Sequence, residues 1–179
     1  MRLLTTGLPV TALALALAAC TTAMPSRPAP PVPVPTPTPT PPPPPPKPLP
    51  ADWRDWPLTP GNWGYRQDAR GSIALFGRPG AEADLTLRCD RSRGRIVLAR
   101  RSDALIPSLT LRTTSTTRAV AAVPAGGTPA YVAAEFGPRD ATIDALGFSR
   151  GRFVVEAAGL PTLVIPAWAE ILRVAEDCR

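Results

Sequence analysis

Residues 147–151, with the sequence GFSRG, match the Gly-x-Ser-x-Gly pattern of serine hydrolases. In those enzymes a strained turn between a strand and a helix exposes the serine to a histidine base. The chain contains no histidine, and its single lysine, Lys47, lies in a proline-rich segment. The residues after Ser149 also have the pattern of a strand rather than a helix. We therefore predict that residues 147–151 form a turn and that the protein is not an enzyme.

Metal and cofactor chemistry has few candidate residues in this chain. Histidine is absent, and the small acidic pairs are Asp140 with Asp144 and Glu176 with Asp177. Two carboxylates can hydrolyse a glycosidic bond only where a cleft holds them at a suitable separation. The sequence gives no means of bringing these pairs together, and surface solvation explains them. We predict no catalytic residue, no metal and no cofactor.

Cys20 lies where a lipid-modified cysteine is expected. Residues 1–19 have the layout of a secretory signal peptide, with Arg2 at the start and an apolar stretch that is short for a membrane span. The sequence LAAC at residues 17–20 matches a lipobox, in which the cysteine thiol receives diacylglycerol. We predict that lipidation of Cys20 anchors the chain to a membrane. The alternative is an ordinary signal peptide in which Cys20 occurs by chance.

The cellular location of the protein is predicted from the same segment. Thr21 rather than aspartate follows Cys20, so the inner-membrane retention signal of enteric bacteria is absent. We predict an outer-membrane lipoprotein that faces the periplasm. In that oxidising compartment Cys89 and Cys178 have only each other as intramolecular partners once Cys20 carries lipid. A Cys89–Cys178 disulfide is therefore predicted, and two free buried thiols are the alternative.

Composition divides the mature chain into two parts. Residues 20–50 are predicted to be the lipidated N-terminus and a spacer, with sixteen prolines among residues 25–50. Proline fixes φ and has no backbone donor, so the spacer is predicted to adopt polyproline II and to reach roughly 80 Å. The other interpretation is a proline-rich ligand for an aromatic groove. Residues 51–179 are predicted to form one globular domain.

The net charge of +6 does not indicate nucleic-acid binding. All fourteen acidic residues and seventeen of the twenty basic ones lie in residues 51–179, with the signs interspersed. A secreted protein also does not meet chromosomal DNA. The densest basic stretch surrounds Arg91 and Arg93, and we expect a solvated hairpin there. The alternative is a site for an anionic glycan, lipopolysaccharide or an acidic partner. The full stretch contains Arg88, Arg91, Arg93, Arg95, Arg100 and Arg101.

One concentrated aromatic group stands at the start of the predicted domain. It consists of Trp53, Trp56, Trp63 and Tyr65. Such rings can stack on sugars or on a partner protein. They can equally pack over a sheet and fix the chain where the spacer ends, which is the interpretation we favour.

The domain is predicted to be mainly β, with β-sandwich-like antiparallel hairpins and one C-terminal helix. Alternating apolar residues between turn-forming segments indicate the strands, and Cys89, in phase with Leu85 and Leu87, is predicted to point inward. The helix is predicted to begin at Pro166 and to end near Cys178, which makes Cys178 the anchor for a disulfide. The predicted strands are residues 63–67, 72–76, 84–89, 95–100, 109–113, 119–123, 130–136, 152–157 and 161–165, with a helical turn at residues 140–146. In the helix, Ile171, Val174, Ala175 and Cys178 share the predicted inward face, and Arg173 and Asp177 are predicted to face out.

This order of elements resembles that of the VasI-type periplasmic proteins associated with type VI secretion, and of many uncharacterised alphaproteobacterial lipoproteins. The resemblance rests on the strand LTLRC at residues 85–89, the helical turn, the strands at residues 151–156 and 159–161, and the helix that ends on Cys178. It covers about residues 60–179 and implies a β-sandwich-like domain with a disulfide-tethered helix and no catalytic residues. The spacer and the arginine-rich hairpin depart from that family.

Together these features predict a non-enzymatic envelope lipoprotein that presents a binding domain on a polyproline stalk. Its expected partners are the membrane, through the lipid, and an envelope protein or peptidoglycan; Trp53, Trp56, Trp63, Arg91 and Arg93 are the candidate contact residues. The rival hypothesis is an inhibitor of a lytic enzyme such as lysozyme. That hypothesis requires a protruding loop, for which residues 91–94 or 113–118 are the candidates.

Overall fold

A computed structural model describes residues 50–179 of the chain. The predicted signal peptide, the Cys20 lipidation site and nearly all of the spacer lie outside these residues. The strands are β1 (Asn62–Asp68), β2 (Gly71–Gly77), β3 (Leu85–Asp90), β4 (Arg95–Arg101), β5 (Ser108–Arg112), β6 (Thr117–Ala121), β7 (Val123–Gly126), β8 (Tyr131–Phe136), β9 (Arg152–Glu156) and β10 (Leu163–Pro166). The helices are α1 (Ala141–Gly147) and α2 (Ala169–Asp177), and a short 3-10 turn spans Trp53–Asp55.

All strand pairs are antiparallel, and they form two sheets. The larger has six strands in the order β1-β2-β3-β4-β8-β7, and the smaller has four in the order β10-β9-β5-β6. Alternate side chains of most strands, such as Leu85, Leu87 and Cys89 of β3, enter one hydrophobic core that both sheets share. The prediction of a mainly antiparallel β-fold of the sandwich type is confirmed.

The C-terminal helix packs on the larger sheet and is joined to it by the predicted disulfide. The Cα atoms of Cys89 and Cys178 lie 5.4 Å apart, within the range that a disulfide bridges. Ile171 and Val174 are fully buried against the core, as the helical spacing predicts. The disulfide and the inward face of the helix are thus confirmed.

The predicted start of this helix is wrong. Pro166 is the last residue of β10, paired with Arg152, and the helix begins at Ala169. The Pro166 carbonyl accepts hydrogen bonds from the Trp63 indole at 2.8 Å and from the Trp168 amide at 3.0 Å. Proline suits a strand end as well as a helix start, since its missing donor costs nothing at either place. The pattern alone could not separate the two.

The segment after β6 also differs from its prediction. Residues 119–123 were expected to be one strand, but β6 ends at Ala121 and Val123 opens β7, which pairs with β8 in the other sheet. Between them, the Ala122 amide donates to the Pro107 carbonyl at 2.9 Å. The chain therefore crosses from the edge of one sheet to the edge of the other, as strands do at the corners of sandwiches.

Neither helix of the described residues has the length and hydropathy that a membrane-spanning helix requires.

Candidate functional site

The outer face of the six-stranded sheet carries two rows of side chains that cross its strands. Residues on alternate positions point away from the core, and antiparallel pairing sets them directly opposite one another. One row, which we call the central row, is apolar and mostly small. It consists of Gly64, Leu75, Thr86, Ala99, Ala133 and Val123, in order across the strands.

The neighbouring row, the arginine row, alternates charged and apolar residues. Arg66 and Arg88 flank Ile73, which is only 7% exposed although it points away from the core. Long arginine stems cover apolar surface while the charged heads stay in water, and this explains the burial of Ile73. The row continues through Val97 to Glu135.

Together the two rows form the floor of a groove of about 570 Å³, which we call the outer groove. Arg66 and Arg70 line its β1–β2 side, and Val123 lines its opposite side. Val123 is 59% exposed, which is unusual for a large apolar side chain. A groove with an apolar floor and cationic groups at one end can bind an elongated partner that is apolar along its length and acidic at one end.

The arginines of the outer groove differ in whether an ion pair neutralises their charge. Arg88 forms an ion pair with Asp68 at 2.8 Å, and its hydrogen bond holds the pKa of Asp68 below the usual value. Arg93 forms a 2.8 Å ion pair with Glu135. Arg66 and Arg70 take part in no ion pair within residues 50–179. Neither guanidinium is held in an ion pair, although Arg70 lies close enough to Asp68 and Asp90 to help lower the pKa of both carboxyl groups.

The predicted arginine hairpin does not act as one cluster. Arg93 lines the outer groove, whereas the Arg91 Nε donates to the carbonyl of Asp177 at 3.2 Å, at the end of α2. Asp90 holds the turn between them: its carboxylate accepts from the Ser92 hydroxyl at 2.7 Å and from the Arg93 amide at 3.2 Å. The Ser92 bond is the main cause of the lowered pKa of Asp90. The turn is thus ordered by its own residues.

Trp53 and Trp56 lie where the chain enters the domain, and Trp63 is buried within it. Trp63 is 8% exposed and packs edge-on against Phe76, with ring centroids 5.4 Å apart. Its position on β1 points inward, and this burial favours packing over partner contact for Trp63. Trp53 and Trp56 are half-buried, and the Trp56 indole donates to the Pro50 carbonyl at 2.7 Å.

Ser149 is committed to structure. It is 5% exposed, and its hydroxyl donates to the Arg152 carbonyl at 2.5 Å and accepts from the Thr114 amide at 3.1 Å. The segment around it is a turn, and the strand β9 follows it. The predicted turn is confirmed, and both hydrogen-bonding functions of the hydroxyl are occupied.

The carboxylates of the acidic pairs also take part in structural hydrogen bonds and ion pairs. Asp140 caps α1 by accepting from the Thr142 amide at 2.8 Å, and it pairs with Arg118. Asp144 pairs with Arg179. Asp177 was expected to face out, but its carboxylate accepts from the Tyr65 hydroxyl at 2.5 Å. Within residues 50–179 no group of three or more potential metal-ligating side chains is found.

Sequence reasoning missed the outer groove. The signal was present in β2, where Ile73, Ala74, Leu75 and Phe76 are apolar without alternation. A strand that is apolar on both faces is covered on both, or borders a binding surface. The pairing of Ile73 with Arg66 and Arg88 depends on the register of three strands, which the sequence does not give.

The chain matches no protein-family model, no curated protein sequence and no solved structure. The fold itself defines the class: a two-sheet antiparallel sandwich with a disulfide-linked C-terminal helix. The resemblance to VasI-type periplasmic proteins stays a prediction that rests on the order of elements.

Proposed function

We propose that the protein is a non-enzymatic lipoprotein of the cell envelope, anchored through Cys20, whose domain binds an acidic envelope partner along the outer groove. The observation that carries the proposal is the pair Arg66 and Arg70, which have no ion-pair partner among the described residues, beside an apolar floor. Ser149 and the acidic pairs are occupied by structural bonds, which supports binding over catalysis.

The partner is proposed to meet the groove from its basic side. Interfaces gain orientation and association rate from complementary charge, and affinity from apolar contact. Arg66 and Arg70 supply the complementary charge, and the central row, which includes the exposed Val123, supplies the apolar contact. An acidic protein segment or an anionic glycan fits this arrangement.

The groove is tested by charge reversal in intact cells. The double variant Arg66→Glu, Arg70→Glu is compared with Arg150→Glu, which changes an exposed arginine outside the groove. Each full-length protein is photo-crosslinked from position 123, and the products are identified by mass spectrometry. We expect the double variant to lose the main crosslinked partner and Arg150→Glu to keep it. Equal crosslinking by all three proteins would rule out the outer groove.

The membrane anchor is tested separately with Cys20→Ser. We expect this variant to leave the membrane fraction and to lose the label of a radioactive fatty acid. If it stays in the membrane pellet and the native chain carries no acyl label, the lipoprotein assignment is wrong. The location in the outer membrane is read from the same fractionation.

The inhibitor hypothesis remains a prediction of its own. The two candidate loops are short turns tied by internal bonds: Asp90 holds residues 91–94, and the Thr113 hydroxyl accepts from the amide of Thr116 at 3.0 Å. A lysozyme inhibition assay with the purified protein decides it, and inhibition that Arg93→Ala abolishes would favour it.

A further inference from the structure

A second cavity opens at one end of the sandwich, where β4 ends. It has a volume of about 710 Å³ and we call it the end cleft. The loops that surround it are those before β1, between β2 and β3, between β4 and β5, and between β9 and β10. It shares only Glu82 and Pro129 with the lining of the outer groove, so the two are distinct surfaces.

The wall of the end cleft contains a buried guanidinium. Arg100 follows Ile96 and Leu98 on the inward face of β4, and it is only 5% exposed. Its Nη2 donates to the Pro161 carbonyl at 2.8 Å. Its Nε is buried without a partner, and no hydrogen bond of the described residues uses its Nη1. Most of its donor groups therefore have no acceptor within the described residues.

The charge of Arg100 is also uncompensated by an ion pair. Asp84, which also lines the cleft, lies close enough to favour the charged form of Arg100, but its ion pair is with Arg101 at 2.5 Å. None of the ion pairs within residues 50–179 includes Arg100. Burial lowers the pKa of Arg100, but a guanidinium stays charged at any physiological pH. A buried cation without an ion-pair partner is costly to a fold, and such costs concentrate at binding sites.

The surroundings of Arg100 restrict what the anion can be. Leu160, Leu163 and Pro60 give the end cleft apolar walls. Glu82 and Asp103 also line it, and neither forms an ion pair within the described residues. These carboxylates repel a doubly charged phosphate more strongly than a singly charged group. The planar guanidinium in turn matches the planar carboxylate.

We propose that the end cleft binds a ligand with a single carboxylate on an apolar body, and that Arg100 recognises the carboxylate. The Nη1 of Arg100 donates to the carboxylate, and the body lies against Leu160 and Leu163. Two sources share this chemistry: the C-terminal residue of a peptide, and a free organic acid. The site acts independently of the outer groove and of the membrane anchor.

The proposal is tested on the full-length protein in detergent micelles by isothermal titration. The probes are N-acetyl-alanyl-leucine, its C-terminal amide, hexanoate and inorganic phosphate. We expect the peptide acid to bind at least about tenfold more tightly than its amide, because only the acid makes charge-assisted hydrogen bonds. We expect phosphate to bind more weakly than either acid. Comparable affinity for hexanoate assigns a free acid as the ligand, and weaker affinity assigns a peptide terminus.

Two variants separate recognition from structure. Arg100→Gln removes the charge and leaves a neutral amide in the wall of the cleft, so it should reduce acid binding to the level of the amide. Arg150→Gln, outside the cleft, should bind the acid as the native chain does. If Arg100→Gln does not fold, the comparison of acid with amide on the native protein still decides. Equal binding of the two, no binding of any probe at about 10 mM, or an Arg100→Gln variant that still prefers the acid would overturn the proposal.

Discussion

The disulfide offers the sharpest test of this architecture. Cys89 is fully buried in the larger sheet, and Cys178 directly follows the last residue of α2. Replacing Cys178 by alanine, or reducing the bond, removes the covalent link between a core strand and the end of the chain. The residues are 89 apart in sequence, so the link closes residues 89–178, about two thirds of the described domain, into one loop.

The size of the effect follows from the loop. For a loop of this length, the chain-entropy model gives a stabilisation of about 4.6 kcal/mol at 25 °C. The described domain has about 130 residues, for which the entropy of unfolding is about 0.27 kcal/mol per kelvin near the melting temperature. We therefore expect reduction to lower the melting temperature by about 17 °C.

The helix should open before the sheets do. Without the bond, α2 is held by burial of Ile171 and Val174 and by the contact of Asp177 with Tyr65. Burial of one such apolar side chain is worth about 2 kcal/mol, and a helix of two to three turns does not persist alone in water. Local opening of α2 thus requires less free energy than global unfolding.

Thermal unfolding by circular dichroism, with and without reductant, measures the first effect. Limited proteolysis followed by mass spectrometry measures the second, with new cleavage expected in residues 169–179. Cys178→Ala is the matched control, because reductant should not change its melting temperature. An unchanged melting temperature after reduction, with complete reduction verified by thiol labelling of the unfolded protein, would refute the reasoning. It would mean that packing alone holds the helix.

Three further predictions concern single side chains. Ser149→Ala should leave any measured activity unchanged and lower the free energy of unfolding by about 1–2 kcal/mol, since it leaves the Thr114 amide without its acceptor; labelling of the native protein by a fluorophosphonate would contradict it. Tyr65→Phe should cost about 1 kcal/mol in urea unfolding at neutral pH, and a loss as large as that of the disulfide would point to a packing defect instead. Burial opposes ionisation of Asp177, but the hydrogen bond from Tyr65 and nearby arginines outweigh it and lower the Asp177 pKa. Because this pKa is lower in the folded state than the unfolded value of about 4, the ionised carboxylate stabilises the fold above pH 4, and this stabilisation is lost as the pH falls further. In urea unfolding between pH 6 and pH 2, the free energy of unfolding should therefore fall less in Tyr65→Phe than in the native protein. The same dependence of the free energy of unfolding on pH in both proteins would exclude the contact.

The sequence by itself determined the elements that depend on local pattern. The alternation of Leu85, Leu87 and Cys89 placed the cysteine in the core, and the spacing of Ile171 and Val174 defined the buried face of the helix. The scarcity of cysteine predicted the disulfide, because the predicted lipidation of Cys20 leaves Cys89 and Cys178 only each other. The absence of histidine led to the prediction of a turn rather than a hydrolase nucleophile at residues 147–151.

The local sequence pattern does not decide the secondary structure where two different elements suit the same residues. Pro166 fits a strand end and a helix start equally well, and the choice depends on its pairing with Arg152 and on the Trp63 indole. Residues 119–123 have β propensity throughout, and only the two sheets reveal that the chain changes sheet at Ala122.

Both candidate sites were decided by tertiary structure alone. The outer groove exists because strand register aligns Arg66, Ile73 and Arg88 across three strands. The end cleft has a buried guanidinium in its wall because Arg100 lies on the inward face of β4, beside the loop that contains Pro161. In the sequence, Arg100 is one of six arginines in a basic stretch and looks solvated like the others. Whether a charge is paired depends on residues elsewhere in the chain: Asp68 pairs with Arg88, whereas Asp84 pairs with Arg101 rather than with Arg100. These pairs are set only when the sheets assemble.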